Sequence, residues 1–423
     1  MEAALRAALI NAAEQFGSPV YVYDKNAIVD RCNALRECIT YPKKKLLYAM
    51  KANSNQAVVR TILGAGFGVD CVSLGEVLFA KKLGATNILY TNNNVADAEF
   101  HAVVELAKAG GIWINCDSLQ RLGDLPEGST CFTRINGPVG GGHHHHVITG
   151  GPESKFGIPW EQVPQILEIV EKRKLKLIGV HQHIGSGIRE VAKFKEAMDV
   201  LLTVLRKYKL PDLEIVNFGG GIGVPYRPND KAIDLKEFGV TLSATFAAFC
   251  KEAGKELTLM LEPGRFPVAE SGYLVTRVNT IKETPYDRTF AGVDTGFNHL
   301  VRPTMYGSYH QISNLSNAEG IARPYFVAGN ICESGDIFTR GDGDDNVAAA
   351  RVLPELRRGD LIAIHNAGAY GYVMASEYNM RPRPAEVLLD GTELTLARRR
   401  KTFDEIVAEA LIISFYVSQD FAS

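Results

Sequence analysis

LLYAMKANSNQAVVRTILGAGFGVDCVSLGEVLFAKKLGATNILYT, residues 46–91, decides the fold. Three short apolar runs, at 46–50, 68–73 and 87–91, alternate with NQAVVRTILGAG and SLGEVLFAKKLGA, whose apolar residues recur at helical spacing. Strand, helix and strand in that order make the parallel β-α-β unit. The pattern continues downstream in IWINC (112–116), CFTRIN (131–136), LIGVHQHI (177–184), LEIVNFGG (213–220) and LTLMLEP (257–263). Helical segments such as ADAEFHAVVELAKAG, WEQVPQILEIVEKRK and KFKEAMDVLLTVLRKY lie between them. Eight strands followed by helices within roughly 220 residues predict an α/β fold, a (β/α)8 TIM-type barrel. An open doubly wound sheet would begin its first helix with G-x-G-x-x-G, and no such motif stands there.

Beyond about residue 270 the texture changes. YLVTRVNTIKET, RTFAGVDT, PYFVAGNI, DLIAIHNA and AEVLLDGTELTLARRR read as strands divided by Gly, Asp and Pro turns. PVYVYD (19–24) also reads as a strand, which either joins this β-rich part or precedes the barrel. The first residues, MEAALRAALINAAEQFGSP, read as a short helix stopping at Gly17 and Pro19. The expected organisation is therefore a barrel over 28–270, with a β-rich domain made from 1–27 and 271–423.

Composition narrows the function class. At 423 residues the chain exceeds one ordinary core, and 46% hydrophobic with 22% charged residues is a soluble globular balance. A formal net charge of −2 argues against nucleic-acid and membrane-surface partners. No apolar run is long enough to span a bilayer, and the N-terminal segment lacks the apolar core of a secretory signal. Seven scattered cysteines without C-x-x-C pairs suit a reducing cytoplasm rather than a disulfide framework or a zinc site. The run His143 to His146 reads as a polar loop near an active-site mouth, since adjacent residues in an extended loop cannot all face one metal.

Barrel chemistry is carried at the C-terminal ends of the strands. The first strand ends in Tyr48-Ala49-Met50-Lys51-Ala52-Asn53. Burial of such a lysine would lower its amine pKa and make it a nucleophile toward a carbonyl, although alone it reads more readily as a solvated strand end. The sixth strand ends in His181-Gln182-His183-Ile184-Gly185-Ser186-Gly187, where an imidazole can lie on an aromatic cofactor or simply close a core. The seventh ends in Gly219-Gly220-Gly221-Ile222-Gly223, an anion nest or merely a tight turn. The eighth ends in Glu262-Pro263-Gly264-Arg265, a carboxylate and a guanidinium at the rim, suited to phosphate or to a surface ion pair. Four bland readings would have to hold together at one end of one barrel. Lysine, imidazole, phosphate cradle and carboxylate are instead the parts of a pyridoxal-phosphate site.

With YAMKAN, GVDCVSLGE, TGGPESKFGI, HIGSG, GGGIGVPY, EPGRF, RPTMYGSYH, CESGD and GAYG, the chain resembles the fold-type III pyridoxal-phosphate decarboxylases, and within them the diaminopimelate decarboxylases. The resemblance runs from PVYVYD through the final strand. It implies pyridoxal 5'-phosphate held as a Schiff base by Lys51, with His183 on the ring, Glu262 at the pyridine nitrogen and Asp70 supporting Lys51. It assigns the phosphate to Ser186, Gly219, Gly220, Gly221 and the turn from Glu262 through Gly264 to Arg265, which also borders the substrate. Arg302 and Tyr306 would hold the substrate's distal carboxylate, and Tyr370 would lie near cofactor and substrate. Cys332 and Glu333 would enter from a partner subunit, Cys332 as proton donor and Glu333 to the distal ammonium, which makes the active form a homodimer with shared sites. The implied reaction converts meso-2,6-diaminopimelate to L-lysine and carbon dioxide, the last step of lysine biosynthesis. A sibling enzyme acting on D-ornithine, D-lysine or another amino acid is the first alternative. A non-catalytic, partner-binding homologue is the second; such relatives lose site residues, whereas here all of them are present.

Overall fold

Four strand-to-helix junctions show how local chemistry starts the helices. Asn55, Ser73, Ser118 and Asp234 each stand just before a helix, and their side chains accept the backbone N–H of Ala57, Glu76, Arg121 and Glu237. Such caps satisfy donors that the first helical turn leaves open. The computed structural model describes residues 1–138, 151, 153–341 and 347–420, with side chains as far as Leu411. His143 to His146 lie outside the described residues.

The chain divides into two units, one of Ala27–Pro225 and Asn229–Val268, the other of Met1–Asn26, Tyr226–Pro228 and the residues from Ala269 on. In chain order the strands begin with β1 (Val20–Asp24), which belongs to the second unit. The first unit holds β2 (Lys44–Ala49), β3 (Gly68–Cys71), β4 (Ile88–Thr91), β5 (Ile112–Cys116), β6 (Thr130–Asn136), the two-residue β7 (Ile158–Pro159), β8 (Lys176–His181), β9 (Ile215–Asn217) and β10 (Thr258–Leu261). Leaving β7 aside, neighbours pair in parallel around a ring. β10 returns to β2 through Leu259 opposite Lys44, and β5 meets β6 through Ile114 opposite Cys131. The eight-stranded parallel barrel is therefore closed, as the strand–helix alternation predicts.

Strands end sooner than their apolar runs. β8 stops at His181 rather than residue 184, and β9 at Asn217 rather than residue 220. The glycines beyond them turn the chain away: Gly185 has φ 150° and Gly219 has φ 71°. Leu47, Leu89, Phe132 and Ile215, from β2, β4, β6 and β9, form one buried cluster with Met260. That is a layer of four side chains from alternate strands. Gly179 on the intervening β8 makes room for it, since a Cβ there would lie 2.1 Å from the Phe132 ring.

In the second unit β1 pairs antiparallel with β11 (Gly272–Glu283) and parallel with β17 (Ala385–Asp390), so PVYVYD joins the β-rich part. The sheet continues through β12 (Thr289–Val293), β14 (Ala322–Ala328) and β15 (Arg351–Pro354) on one side and β18 (Glu393–Arg398) on the other. Strands β13 (Ile312–Asn314) and β16 (Leu361–Ile364) pair with each other, and β16 also with β11. Helix α1 (Ala3–Phe16) ends at Gly17, φ 78°, and buries Leu9, Ala12 and Ala13 against Val20, Val22, Val275 and Val387. A last helix, Phe403–Asp420, follows the final strand.

Candidate active site

Side chains two apart on a strand share a face. Two residues on from Leu47, Gly68, Leu89, Trp113, Phe132, Gly179, Ile215 and Met260 stand Ala49, Asp70, Thr91, Asn115, Arg134, His181, Asn217 and Glu262, one position for each barrel strand. All eight are buried. The barrel interior thus changes from hydrocarbon to polar groups within one step, toward the C-terminal ends of the strands. Burying so many polar atoms is tolerable only where they bond one another.

They do so around Glu262. Asn217 Nδ2 donates to Glu262 Oε1 at 2.5 Å, and His181 Nε2 lies 3.1 Å from Glu262 Oε2. Asn115 Nδ2 lies 2.9 Å from His181 Nδ1. Burial by itself would raise the Glu262 carboxyl, but His181, Asn217 and Lys51 together bring it below the ordinary carboxylate value. Burial lowers His181 against the pull of Glu262, which makes the pair a neutral imidazole and a carboxylate. Asp70 stands opposite in character. Burial and the Glu262 charge push it up to about 8 despite Lys51 and a bond from Thr91, and its Oδ1 has no hydrogen-bond partner among the described residues.

Lys51 sits in a single 3₁₀ turn, Met50–Ala52, directly after β2. The Asn53 N–H closes the turn on Met50 O at 3.1 Å, and Tyr48 Oη donates to Asn53 O at 3.0 Å. Its side chain is exposed, as the solvated reading of the strand end has it, because a 3₁₀ turn and not the strand carries it. Its charge nevertheless acts on Asp70, Glu76, His181, His183 and Glu262, so the amine lies within the field of this cluster. His183 is held well below the ordinary imidazole range by burial and by Lys51, Arg134 and His181. A neutral ring results, whose Nδ1 accepts the Gly220 N–H at 3.2 Å. Arg134, buried and stacked 4.6 Å from the Phe156 ring, donates to the His183 carbonyl at 3.2 Å.

The glycine turn is required by packing. A Cβ at Gly219 would meet Gln182 O at 2.4 Å, and one at Gly220 would meet Glu262 O at 2.2 Å. Two of its N–H groups are already engaged, Gly219 to Asn217 Oδ1 at 2.9 Å and Gly220 to His183. The simple picture of Gly219, Gly220 and Gly221 as an open nest is revised accordingly. Beside them the buried Arg265 directs Nε and Nη2 at Ser186 Oγ, 3.3 and 3.1 Å away, and Gly264 packs where a Cβ would touch Ala49 at 3.1 Å. An amine, a neutral imidazole, an ionised carboxylate and a guanidinium–hydroxyl pair beside close-approach glycines fit pyridoxal phosphate: aldehyde, ring, ring nitrogen and phosphate in turn.

In the β-rich unit, Arg302 opens the short helix Arg302–Tyr306 and is buried. Its guanidinium lies 5.3 Å from the Tyr226 ring and 5.7 Å from that of Tyr306, and Nη2 donates to Ser308 Oγ at 3.1 Å. Cys332 and Glu333 are exposed. The Cys332 N–H is held by Asn379 Oδ1 at 2.9 Å, and Thr304 Oγ1 donates to Gly335 O at 3.0 Å, tying the Cys-Glu-Ser-Gly-Asp turn to the Arg302 helix. Tyr370 takes a left-handed backbone, φ 56°. Motif reading passed over Asn115, Arg134, Asn217, Tyr226, Thr304 and Asn379. The first three were within reach, as polar residues two positions beyond an inward apolar one.

Residues 25–269 match the family described as pyridoxal-dependent decarboxylase, pyridoxal binding domain. The diaminopimelate decarboxylase of Methanothermobacter thermautotrophicus is 41% identical over 411 residues, which cover 94% of this chain and 92% of that protein. A crystal structure of diaminopimelate decarboxylase is similar with a TM-score of 0.87 and 35% identity over 96% of each chain. That of the Helicobacter pylori enzyme complexed with L-lysine has a TM-score of 0.84 and 30% identity, over 95% of this chain and 98% of that one.

Proposed function

The chain belongs to the pyridoxal-dependent decarboxylases, and on that premise we propose that it decarboxylates meso-2,6-diaminopimelate to L-lysine. When bound, pyridoxal phosphate supplies an aldehyde for amine condensation and a ring that accepts the electron pair of the broken bond. Lys51 would hold the cofactor by offering its amine to that aldehyde. Glu262, kept ionised by its buried donors, accepts a hydrogen bond from a protonated ring nitrogen. The neutral imidazole of His183 would support the ring, and Arg265 with Ser186 would hold the phosphate. Asp70 supports Lys51.

Arg302 and Tyr306 receive the distal carboxylate, Glu333 the distal ammonium, and Tyr370 borders cofactor and substrate. The Cys332 thiol would supply the proton that the product's α-carbon needs, and solvent would restore it to the sulfur. Cys332 and Glu333 complete the site of a neighbouring subunit, so the working form is a homodimer. The protein acts in the cytoplasm; no helix among the described residues is long and apolar enough to cross a membrane.

The observation that carries this reading is the buried Glu262 carboxylate, held as an anion by His181 and Asn217 within the field of Lys51. Its test is carbon dioxide release by the purified protein with pyridoxal phosphate, comparing meso-diaminopimelate, L-ornithine, D-ornithine and D-lysine. Lysine should form from the first at the highest kcat/KM. Preference for a substrate without the distal carboxylate would overturn the assignment.

A further inference from the structure

The polar layer continues past Glu262, through His181, to an amide that none of the assigned roles uses. Glu262 Oε1 is held by Asn217, whose Oδ1 in turn accepts the Gly219 N–H, so one amide joins the carboxylate to the glycine turn. Glu262 Oε2 faces His181 Nε2, and His181 Nδ1 faces the amide of Asn115. Asn115 is itself fixed between neighbouring strands. Its backbone carbonyl accepts Asn92 Nδ2 at 3.0 Å, and its side-chain Nδ2 also reaches Thr91 Oγ1 at 3.4 Å. His181 and Asn115 are 1% and 0% exposed, so water does not substitute for these contacts.

The amide decides the tautomer. A neutral imidazole carries one N–H and one lone pair. With Asn115 Nδ2 donating to Nδ1, the hydrogen must sit on Nε2, where it meets Glu262. Turning the amide over would put an oxygen against Nδ1 and draw the hydrogen there. The Nε2 lone pair would then face a carboxylate oxygen 3.1 Å away, two acceptors with nothing between them.

We propose that His181, oriented by Asn115, is a positioning residue that turns the Glu262 carboxylate toward a protonated ring nitrogen and holds it there as an acceptor. The inference rests on the pyridoxal-phosphate reading. A carboxylate has about four acceptor directions, so the bonds from His181 and Asn217 leave room for a third donor while blocking rotation of the group. Removing His181 frees Oε2 to turn or to take up a proton, and the ring nitrogen loses a charged partner.

The test uses the apoprotein titrated with pyridoxal 5'-phosphate and, separately, with its 1-deaza analogue, in which carbon replaces the ring nitrogen. Binding is read by quenching of protein fluorescence. His181→Phe should weaken pyridoxal phosphate about 10-fold or more, the scale of a lost hydrogen bond to a charged group, and leave the deaza analogue within about 2-fold of wild type. His181→Gln, which can still donate to Glu262, should recover most of the loss. Asn115→Ala should weaken pyridoxal phosphate and spare the deaza analogue, as His181→Phe does but by less, and it serves if the histidine variant does not fold. Equal weakening of both ligands, or of neither, overturns the proposal. Wild-type protein that binds neither ligand overturns the cofactor reading and this inference with it.

Discussion

Replacing Arg302 should separate the proposed recognition of the substrate's far end from binding of the cofactor. The guanidinium is buried, bonded to Ser308 at 3.1 Å, and flanked by the Tyr226 and Tyr306 rings at 5.3 and 5.7 Å. A carboxylate meeting such a planar, prepositioned fork gains two parallel charge-assisted bonds. Truncating one partner of a desolvated charge pair costs ~2–5 kcal/mol. At ~1.4 kcal/mol per decade, Arg302→Ala should lower kcat/KM for meso-diaminopimelate about 30-fold or more. Arg302→Lys keeps the charge but gives up the fork and both ring contacts, each worth ~0.5–2 kcal/mol, so it should still lose about 10-fold. The assay is the initial rate of carbon dioxide release on meso-diaminopimelate and on D-lysine, which lacks the distal carboxylate. Cofactor absorbance is read on the same samples, and a thermal melt shows that the truncated variant stays folded. D-lysine turnover and the visible absorbance should survive both substitutions. Equal proportional losses on the two substrates, or loss of the absorbance, would refute the specificity argument and make Arg302 a structural residue.

Borohydride reduction followed by peptide mapping should place the pyridoxyl label on Lys51, and a label on any other lysine removes that assignment. Mixing inactive Lys51→Ala with inactive Cys332→Ala subunits should restore part of the activity, because one site of each heterodimer is intact; no recovery after demonstrated exchange would exclude shared sites. Asp70 gives a pH prediction for the apoprotein. Its carboxyl is near 8 in the folded state and ~3.9 unfolded, so between these values the native state binds more protons and stability falls as pH rises. Asp70→Asn cannot ionise, and its thermal stability relative to wild type should climb from pH 5 to pH 8; a flat difference would show that the folded Asp70 ionises normally.

Some of this molecule was decided within short stretches of chain. Residues 46–91 already carry the strand and helix periods, and Asn55, Ser73 and Ser118 mark helix starts, because caps and periodicity act over a few residues. That Lys51, His183, Glu262 and Arg265 all follow the ends of barrel strands was legible too, and a parallel barrel puts all strand ends on one face. What local sequence could not decide is where those side chains go once the ring closes. Whether Lys51 is buried depended on the turn after β2, and the fate of the Gly219 and Gly220 N–H groups depended on Asn217 and His183. PVYVYD could stand on either side of the domain boundary until β11 and β17 were seen to flank it, and those partners lie more than 240 positions away. Asn115, His181 and Glu262 are separated by 66 and 81 positions, yet their side chains meet, and the His181 contact helps lower the carboxyl. Hydrogen bonds act over about 3 Å and charges inside a low-dielectric core over little more, so only the closed barrel brings those residues within range.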